Sequence, residues 1–136
     1  MKTDRPFFDT NVLLYLLSED NRKADRAEAI IATGGIISVQ VLNEFASVAS
    51  RKLGMSYAEI RDVLGTVRAV CQTQAVTVDT HDRGLDIAER FGFSLHDSMI
   101  VSSALQSGCA VLYSEDMQHG QEIDVQLVVV NPFLDD

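Results

Sequence analysis

The sequence predicts a single α/β domain in which a central parallel sheet of about five short strands is flanked by helices. Three observations lead to this prediction. The length of 136 residues is within the usual size of one domain. Short, continuous apolar runs alternate with helix-like stretches, a pattern typical of parallel strands covered on both faces. No repeat, low-complexity tract or long linker divides the chain, so we expect residues 1–136 to form one domain.

The first half of the chain reads as strands separated by pairs of helices. The predicted elements are a strand at 6–8, helices at 10–17 and 22–33, a strand at 35–38, a helix over 41–49, and a helix opened by Ser56-Tyr57-Ala58-Glu59. Gly34 and Gly35 end the second helix, since glycine readily follows a helix C-terminus. The Ser56 segment has the form of a capping box, in which Ser and Glu satisfy backbone N–H groups of the first turn.

The second half repeats this alternation. The predicted elements are a β-branched strand at 75–78, a helix from Asp79-Thr80 to Phe91, a helix at 98–106, and strands at 110–113 and 127–130. Gly92 and Gly108 end the two helices. The segment from Ser94 to Asp97 forms a second capping box ahead of the helix at 98–106.

Composition excludes several classes of protein. A hydrophobic fraction of 46% excludes a disordered chain. The longest apolar run, at residues 12–17, is far shorter than the ~20 residues that cross a bilayer, and the N-terminus lacks the layout of a signal peptide. We therefore expect a cytoplasmic protein without membrane association. Cys71 and Cys109 lie in apolar segments without metal-type spacing, which indicates buried thiols.

The net charge of −9 does not by itself indicate a nucleic-acid partner, because phosphate binding usually requires a basic surface. Carboxylates that converge on divalent cations would remove this objection, since the ions become the dominant positive charge. Two arginine pairs, Arg61 with Arg68 and Arg83 with Arg90, share helix faces and could contact RNA. Such pairs are more often solvated surface.

Four acids are placed where a parallel sheet binds ligands, at the carboxyl ends of strands. Asp9 directly follows the first strand, and Asp116 follows the strand at 110–113. Asp97 begins a helix, and Glu44 lies on the helix that leaves the second strand. We therefore expect these four side chains, distant in sequence, to meet at one edge of the sheet.

Each acid also has a purely structural interpretation. Asp9 could cap the first helix, and Asp97 occupies the third helical position of its capping box. Glu44 lies at the margin of its apolar stripe, where a solvated side chain is common, and Asp116 could be an ordinary turn residue. Taken one at a time, the acids do not establish a site.

Four segments together resemble the PIN domain, and by length the VapC-type toxins of bacterial toxin–antitoxin pairs. They are FFDTNVLLY (residues 7–15), SVQVLNEF (38–45), HDSMIVSSAL (96–105) and LYSEDMQHG (112–120). They occur in the family order, at family-like spacing, and span nearly the whole chain. One departure is His96, because the residue before the third acid is often aromatic in the family.

The resemblance implies a metal-dependent ribonuclease that uses Mg²⁺ or Mn²⁺, the hard cations that prefer carboxylate oxygens. Asp9 and Asp97 would be the main metal ligands. Asp116 would complete the site or hold a water of the ion, and Glu44 would bind a second ion or help to deprotonate the attacking water. The neighbouring Glu115 leaves the fourth position slightly ambiguous, although the family pattern favours Asp116.

The resemblance also implies supporting groups, products and partners. Asn11 and Ser114 would support the acids by donating hydrogen bonds behind the metal ligands, and the RNA products would carry 5′-phosphate and 3′-hydroxyl ends. The expected partners are an RNA substrate, a small antitoxin protein and a second copy of the chain. We expect the apolar stretches at residues 12–17 and 30–31 to contribute surface to the dimer or the antitoxin.

Three other functions are compatible with parts of the sequence. A PIN-fold module that binds RNA or protein without cleavage is the main alternative, although all four acids are present. Aspartyl-phosphate chemistry suits Asp9, but a phosphatase of that type needs a second Asp where Asn11 stands, and no lysine follows Lys52. An HD-type phosphohydrolase would be all-helical, which the β-branched runs oppose.

Overall fold

Six short strands form one sheet in the computed structural model, which describes residues 2–134. They are β1 (Phe7–Phe8), β2 (Gly35–Ser38), β3 (Cys71–Gln74), β4 (Val111–Tyr113), β5 (Glu122–Ile123) and β6 (Leu127–Val130). The order across the sheet is β3-β2-β1-β4-β6-β5, and all neighbours are parallel except β5 and β6. The predicted mostly parallel α/β sheet is confirmed, with one strand more than expected.

Six α-helices flank this sheet within residues 2–134. They are α1 (Thr10–Leu14), α2 (Asn21–Ala32), α3 (Val39–Lys52), α4 (Tyr57–Val70), α5 (Val78–Phe91) and α6 (Leu95–Gln106). A polar side chain ahead of each helix accepts a backbone N–H of the first turn: Asp9, Asp20, Ser38, Ser56, Thr77 and Ser94. None of the helices in this part of the chain has the length and apolarity to cross a membrane.

The core forms where the strands are covered on both faces. Phe7 and Phe8 of β1 and all four residues of β2 are buried. Gly35 is required at its position, because a Cβ there would lie 2.4 Å from Cε2 of Phe8. Cys71 and Cys109 are both free and buried, as expected, and burial raises the pKa of the Cys109 thiol to about 11.

The prediction of a strand at residues 75–78 is wrong. The third strand is Cys71–Gln74, which directly follows α4, and its polar residues are tolerated because it lies at the sheet edge and pairs only with β2. Thr77 instead caps α5, with its hydroxyl accepting the backbone N–H of Thr80 at 3.2 Å. Capping therefore outweighs the β-propensity of this segment.

The segments expected to supply apolar surface are only partly exposed. The helix predicted at residues 10–17 is α1 followed by a 3₁₀ turn at Tyr15–Leu17. Val12 and Leu13 are fully buried, and Ile30 and Ile31 also belong to the core. The expectation that residues 30–31 supply a docking surface is therefore wrong, whereas Leu14 and the 3₁₀ turn remain partly accessible.

The strand missed by sequence reasoning, β5, pairs with β6 through an unusual turn. Both central residues of this turn, Asp124 and Val125, have positive φ angles of 53° and 57°. This is the conformation of a type I′ hairpin turn, which favours Asn-Gly or Asp-Gly. A valine there gives no sequence signal for a hairpin, because a β-branched side chain is strained at positive φ.

We expect Val125→Gly to stabilise the protein by about 1 kcal/mol, since it removes this strain and creates the favoured Asp-Gly pair. The Val125 side chain is almost fully exposed, so its loss removes little packing. Urea unfolding of the variant and the wild type measures the difference. A variant less stable than the wild type would show that contacts of the Val125 side chain stabilise the fold by more than its positive φ angle destabilises it.

The strand order determines where a ligand can bind. β1 and β4 are neighbours in the middle of the sheet, although they are far apart in sequence, and the connections diverge from this point. A crevice at the carboxyl ends of such strands is the usual ligand site of open parallel sheets. Asp9 follows β1 and Ser114 follows β4 at this crevice.

Candidate active site

Asp9 is the most deeply buried acid of the predicted set, at 1% exposed. Its Oδ1 accepts the backbone N–H of Thr10 at 2.7 Å, so it caps α1 as its position suggested. Its Oδ2 accepts the hydroxyl of Ser114 at 2.7 Å and a longer hydrogen bond, 3.4 Å, from Nδ2 of Asn11. All of these donors are neutral, so they orient the carboxylate without neutralising its charge.

Burial raises the pKa of the Asp9 carboxyl from its ordinary value of 3.8 to about 6. The hydrogen bonds from Ser114 and Thr10 and the charge of His96 lower this pKa, whereas the negative charge of Asp97 raises it. Within residues 2–134, no lysine or arginine forms an ion pair with Asp9. The site therefore holds a buried carboxylate beside a second acid, without a lysine or arginine of residues 2–134 paired with it.

Asn11 and Ser114 connect α1 with the segment that follows β4. The backbone N–H of Asp9 donates to the carbonyl of Tyr113 at 3.0 Å, which fixes the two strand ends side by side. Oδ1 of Asn11 accepts the backbone N–H of Glu115 at 3.1 Å, and Ser114 is fully buried. The structure thus places both expected supporting residues in contact with Asp9 or with its immediate neighbours.

Asp97 lies in the first turn of α6, where its backbone N–H donates to Oγ of Ser94 at 3.1 Å. The reciprocal half of the predicted capping box is not formed among the residues that the structure describes, because the Asp97 carboxylate does not bond back to Ser94. The cap therefore uses the backbone of Asp97 and leaves its half-buried carboxylate available. That carboxylate is close enough to raise the pKa of Asp9.

Glu44 reaches the site through His96 rather than by contact with Asp9. Its Oε2 lies 2.9 Å from Nδ1 of His96. Nε2 of Gln40 lies at the same distance from this ring nitrogen, and also donates to the His96 carbonyl at 3.3 Å. Nδ1 cannot donate to Glu44 and accept from Gln40 at once, so the two side chains compete for it. Sequence reasoning missed Gln40, and the only signal for this contact was the histidine at position 96.

Asp116 and Glu115 have different surroundings. The Glu115 carboxylate accepts a hydrogen bond from the Tyr15 hydroxyl and pairs with Nζ of Lys23 at 3.0 Å. Asp116 is exposed in the turn after β4, and its side chain makes no hydrogen bond or ion pair within the described part of the chain. Glu115 therefore has a structural role, and Asp116 is the uncommitted acid of the pair.

The four acids lie on elements that converge at one edge, but they do not form a closed cluster. No group of three Asp, Glu, His or Cys side chains between residues 2 and 134 is close enough to hold one metal ion. Asp9 and Asp97 interact electrostatically, Glu44 is joined to His96, and Asp116 remains exposed in solvent. Chemically, the arrangement offers carboxylate oxygens and neutral supporting donors.

Comparison with protein family models identifies the family of this chain. The family model described as the PIN domain matches residues 7–121, a span that includes Asp9, Glu44, Asp97 and Asp116. The chain belongs to the PIN domain family. A search of curated proteins by sequence found no match.

Solved structures support the same fold. A toxin–antitoxin complex from Klebsiella pneumoniae superposes with a TM-score of 0.71 at 20% identity, covering 94% of this chain and 98% of that chain. DNA-bound VapBC from Salmonella typhimurium gives 0.68 at 16% identity, with 93% and 97% covered. The Mycobacterium tuberculosis toxin VapC20, described as cleaving the sarcin–ricin loop, gives 0.66 at 17% identity, with 80% and 88% covered. At these identities the likeness establishes the fold.

Proposed function

We propose that this protein is a divalent-metal-dependent endoribonuclease that hydrolyses RNA phosphodiester bonds. The observation that carries the proposal is the Asp9 carboxylate, which is buried, has a raised pKa and lies near Asp97, with no lysine or arginine of residues 2–134 paired with it. Such a charge destabilises the fold unless a ligand compensates it, and perturbed carboxyls in a crevice are typical of functional sites. Membership of the PIN family supports the same conclusion.

The residues present suit a hard cation. Asp9 and Asp97 provide carboxylate oxygens, and Ser114, Thr10 and Asn11 fix the orientation of Asp9, as outer donors do around metal ligands. We assign Asp9 and Asp97 as the ligands of Mg²⁺ or Mn²⁺. When bound, such an ion would supply Lewis-acid activation of a water and offset charge on the phosphodiester.

The remaining acids take roles that follow from their surroundings. Asp116 is exposed and uncommitted, so it can move toward the ion or orient a water beside it. Glu44 shares Nδ1 of His96 with Gln40, which holds its carboxylate at the margin of the site, where it can accept a proton from a water or bind a second ion. Ser114 and Asn11 keep Asp9 in its orientation throughout.

Cleavage of an end-labelled single-stranded RNA tests the proposal. The wild-type protein should cut the RNA with Mn²⁺ or Mg²⁺, should stop cutting with excess EDTA, and should leave 5′-phosphate and 3′-hydroxyl ends. Asp9→Asn, purified in parallel, controls for contaminating nucleases. Wild-type protein that binds the RNA without cutting it under any metal condition would instead support a non-catalytic PIN module.

We further propose that the protein acts in the cytoplasm as the toxin of a toxin–antitoxin pair. Its structural neighbours include complexes of toxins with antitoxins, and these complexes cover nearly all of this chain. A groove of about 350 Å³ lies beside Asn11 and is lined by apolar side chains that include Leu14, Leu17 and Leu53. An antitoxin helix could bury its apolar face there, while a basic tail could pair with the acids.

We expect the isolated chain to be a homodimer and to arrest growth when it is expressed without an antitoxin. Light scattering at about 50 µM should give twice the mass of one chain, and induced expression should be toxic, whereas expression of Asp9→Asn should be harmless. A monomer would remove the dimer proposal. Harmless expression of a protein that cuts RNA in vitro would leave a PIN nuclease with another cellular role.

A further inference from the structure

A cavity of about 760 Å³ lies beside the candidate active site, at the carboxyl end of β6. Its lining includes Arg22, Lys23 and Arg26 from α2, His119 from the segment after β4, and Phe133. We propose that this basic cavity binds the phosphodiester backbone of the single-stranded RNA as the strand leaves the Asp9 site. The inference rests on the proposed ribonuclease function and specifies where its substrate is held.

The charge of the cavity differs from that of the chain as a whole. The protein has 11 lysine and arginine residues and a net charge of −9, yet three of these cations, Arg22, Lys23 and Arg26, line this one cavity. Among residues 2–134, the acid that lines the cavity is Asp20, which caps α2 by accepting the backbone N–H groups of Arg22 and Lys23. Within residues 2–134, the lining of the cavity thus includes more cationic than acidic side chains, which favours a polyanion as the ligand.

Arg26 is positioned to hold a phosphate. Its Nε donates to the backbone carbonyl of Pro132 at 3.1 Å, which fixes the guanidinium against the cavity wall. No carboxylate among residues 2–134 pairs with it, so its charge is not neutralised and its Nη donors remain available. A guanidinium held in one orientation can bind phosphate oxygens in a bidentate manner.

His119, in the segment after β4, adds an uncharged hydrogen-bond donor to the lining of the cavity. Its Nδ1 accepts the backbone N–H of Asn131 at 3.0 Å, so the other ring nitrogen, Nε2, carries the proton. Nε2–H is therefore available to donate to a phosphate oxygen, in addition to the charged groups of α2. His119 belongs to the same segment as Asp116, so the segment that carries this acid also lines the cavity.

Lys23 joins the cavity to the candidate active site. Its Nζ pairs with Glu115, the neighbour of Asp116, at 3.0 Å. The same ammonium lies 4.7 Å from the Tyr15 ring centroid and 5.9 Å from that of Phe133. These contacts fix Lys23 at the boundary between the two sites. The strand order also places the cavity next to the candidate active site. The end of β6 lines the cavity and lies beside the end of β4, where the backbone N–H of Ser114 donates to the carbonyl of Val130 at 3.0 Å.

The proposal is tested by removing two charges from the cavity and two from elsewhere. The cavity variant is Arg22→Gln with Arg26→Gln. The matched control is Arg61→Gln with Arg68→Gln, two exposed arginines of α4 that form no ion pair within residues 2–134. Both variants change the net charge equally, so a purely long-range effect would weaken RNA binding equally in both. Arg26→Lys, which keeps the charge, is a third variant.

The probe is a fluorescein-labelled random single-stranded RNA of about 20 nucleotides. Anisotropy measures its affinity in an Asp97→Asn background, and cleavage by the same variants with Asp97 intact gives kcat and KM. We expect the cavity variant to bind the RNA about tenfold more weakly. The slope of log affinity against log salt concentration should be shallower by about 1.4, because each phosphate contact to a single strand contributes about 0.7 to this slope. KM should rise by a similar factor, while kcat stays within about twofold.

The control should bind within about twofold of the parent protein, with an unchanged salt slope. Arg26→Lys should also keep the salt slope, because it keeps the charge, but it should bind more weakly than the parent because an ammonium cannot replace the bidentate guanidinium. Equal losses in the cavity variant and the control, or no loss in either, would overturn the proposal even if the wild type cuts RNA. A cavity variant whose thermal unfolding matches the wild type and whose KM is unchanged would overturn it as well. Wild-type protein that neither binds nor cuts RNA would remove the ribonuclease function together with this inference.

Discussion

Asp9→Asn should make the metal-free protein more stable and should abolish its cleavage of RNA. The wild-type carboxyl has a pKa of about 6 in the fold and about 3.8 when unfolded, so its ionisation opposes folding. At neutral pH, ionisation of Asp9 lowers the free energy of unfolding by about 3 kcal/mol. An uncharged amide of the same shape avoids this loss. In EDTA, we expect the variant to unfold roughly 5 to 10 °C above the wild type.

The pH dependence of this difference follows from the sign of the pKa change. Because the folded pKa is raised, the wild type loses no stability from Asp9 below about pH 4, and the loss develops as pH rises to about 6. The stability of Asp9→Asn relative to the wild type should therefore increase across this interval and remain constant above it. Urea unfolding at several pH values, with EDTA present throughout, measures this profile.

Asp116→Asn is the matched control for Asp9→Asn, since it removes an exposed carboxylate at the same sheet edge. We expect its effect on metal-free stability to stay within about 0.5 kcal/mol, as for most surface substitutions. If Asp9→Asn is less stable than the wild type in EDTA, the hydrogen bonds of the carboxylate outweigh its burial. In that case Asp9 is chiefly the cap of α1.

Asp97→Asn should reduce RNA cleavage by at least about 10³-fold while leaving the fold intact, because it removes one of the two proposed metal ligands. The cap of α6 uses the backbone N–H of Asp97, and an asparagine keeps this N–H in place. Its melting temperature in EDTA should therefore be close to that of the wild type. Initial rates of RNA cleavage at saturating Mn²⁺ measure the loss.

Ser94→Ala separates the structural role of this helix start from the chemical one. It removes the hydroxyl that caps α6 and retains the Asp97 carboxylate, so we expect a loss of about 1 kcal/mol in stability with cleavage largely preserved. If Asp97→Asn unfolds the protein, the capping interpretation of Asp97 is the better one. If it folds and cleaves at the wild-type rate, Asp97 is not a ligand.

The sequence predicted the features of the fold that depend on local chemistry. Ser56 with Glu59 forms the expected capping box, and β2 occupies the expected residues 35–38. The resemblance also placed Asn11 and Ser114 near Asp9, where the structure shows both in contact with its carboxylate. In these cases a short segment contains its own signal, or a motif carries information from related proteins.

The features that could not be predicted either have a misleading local signal or depend on contacts between distant segments. The strand at residues 75–78 was wrong because a cap at Thr77 outweighed β-propensity, and β5 was missed because Val125 is atypical of its turn. The competition of Glu44 and Gln40 for His96 joins residues more than 50 positions apart. The basic cavity likewise combines the start of α2 with residues after β6, which no local pattern reveals.

Calorimetric titration with Mn²⁺ most directly tests the central claim, that the buried Asp9 carboxylate binds a divalent cation together with Asp97. The wild-type protein should bind Mn²⁺ and unfold at a higher temperature when it is present, because the ion binds only the folded state. Asp9→Asn and Asp97→Asn should lose both effects, whereas Asp116→Asn should retain binding. Wild-type protein that shows no heat of Mn²⁺ binding, and a melting temperature indifferent to the ion, would contradict the account.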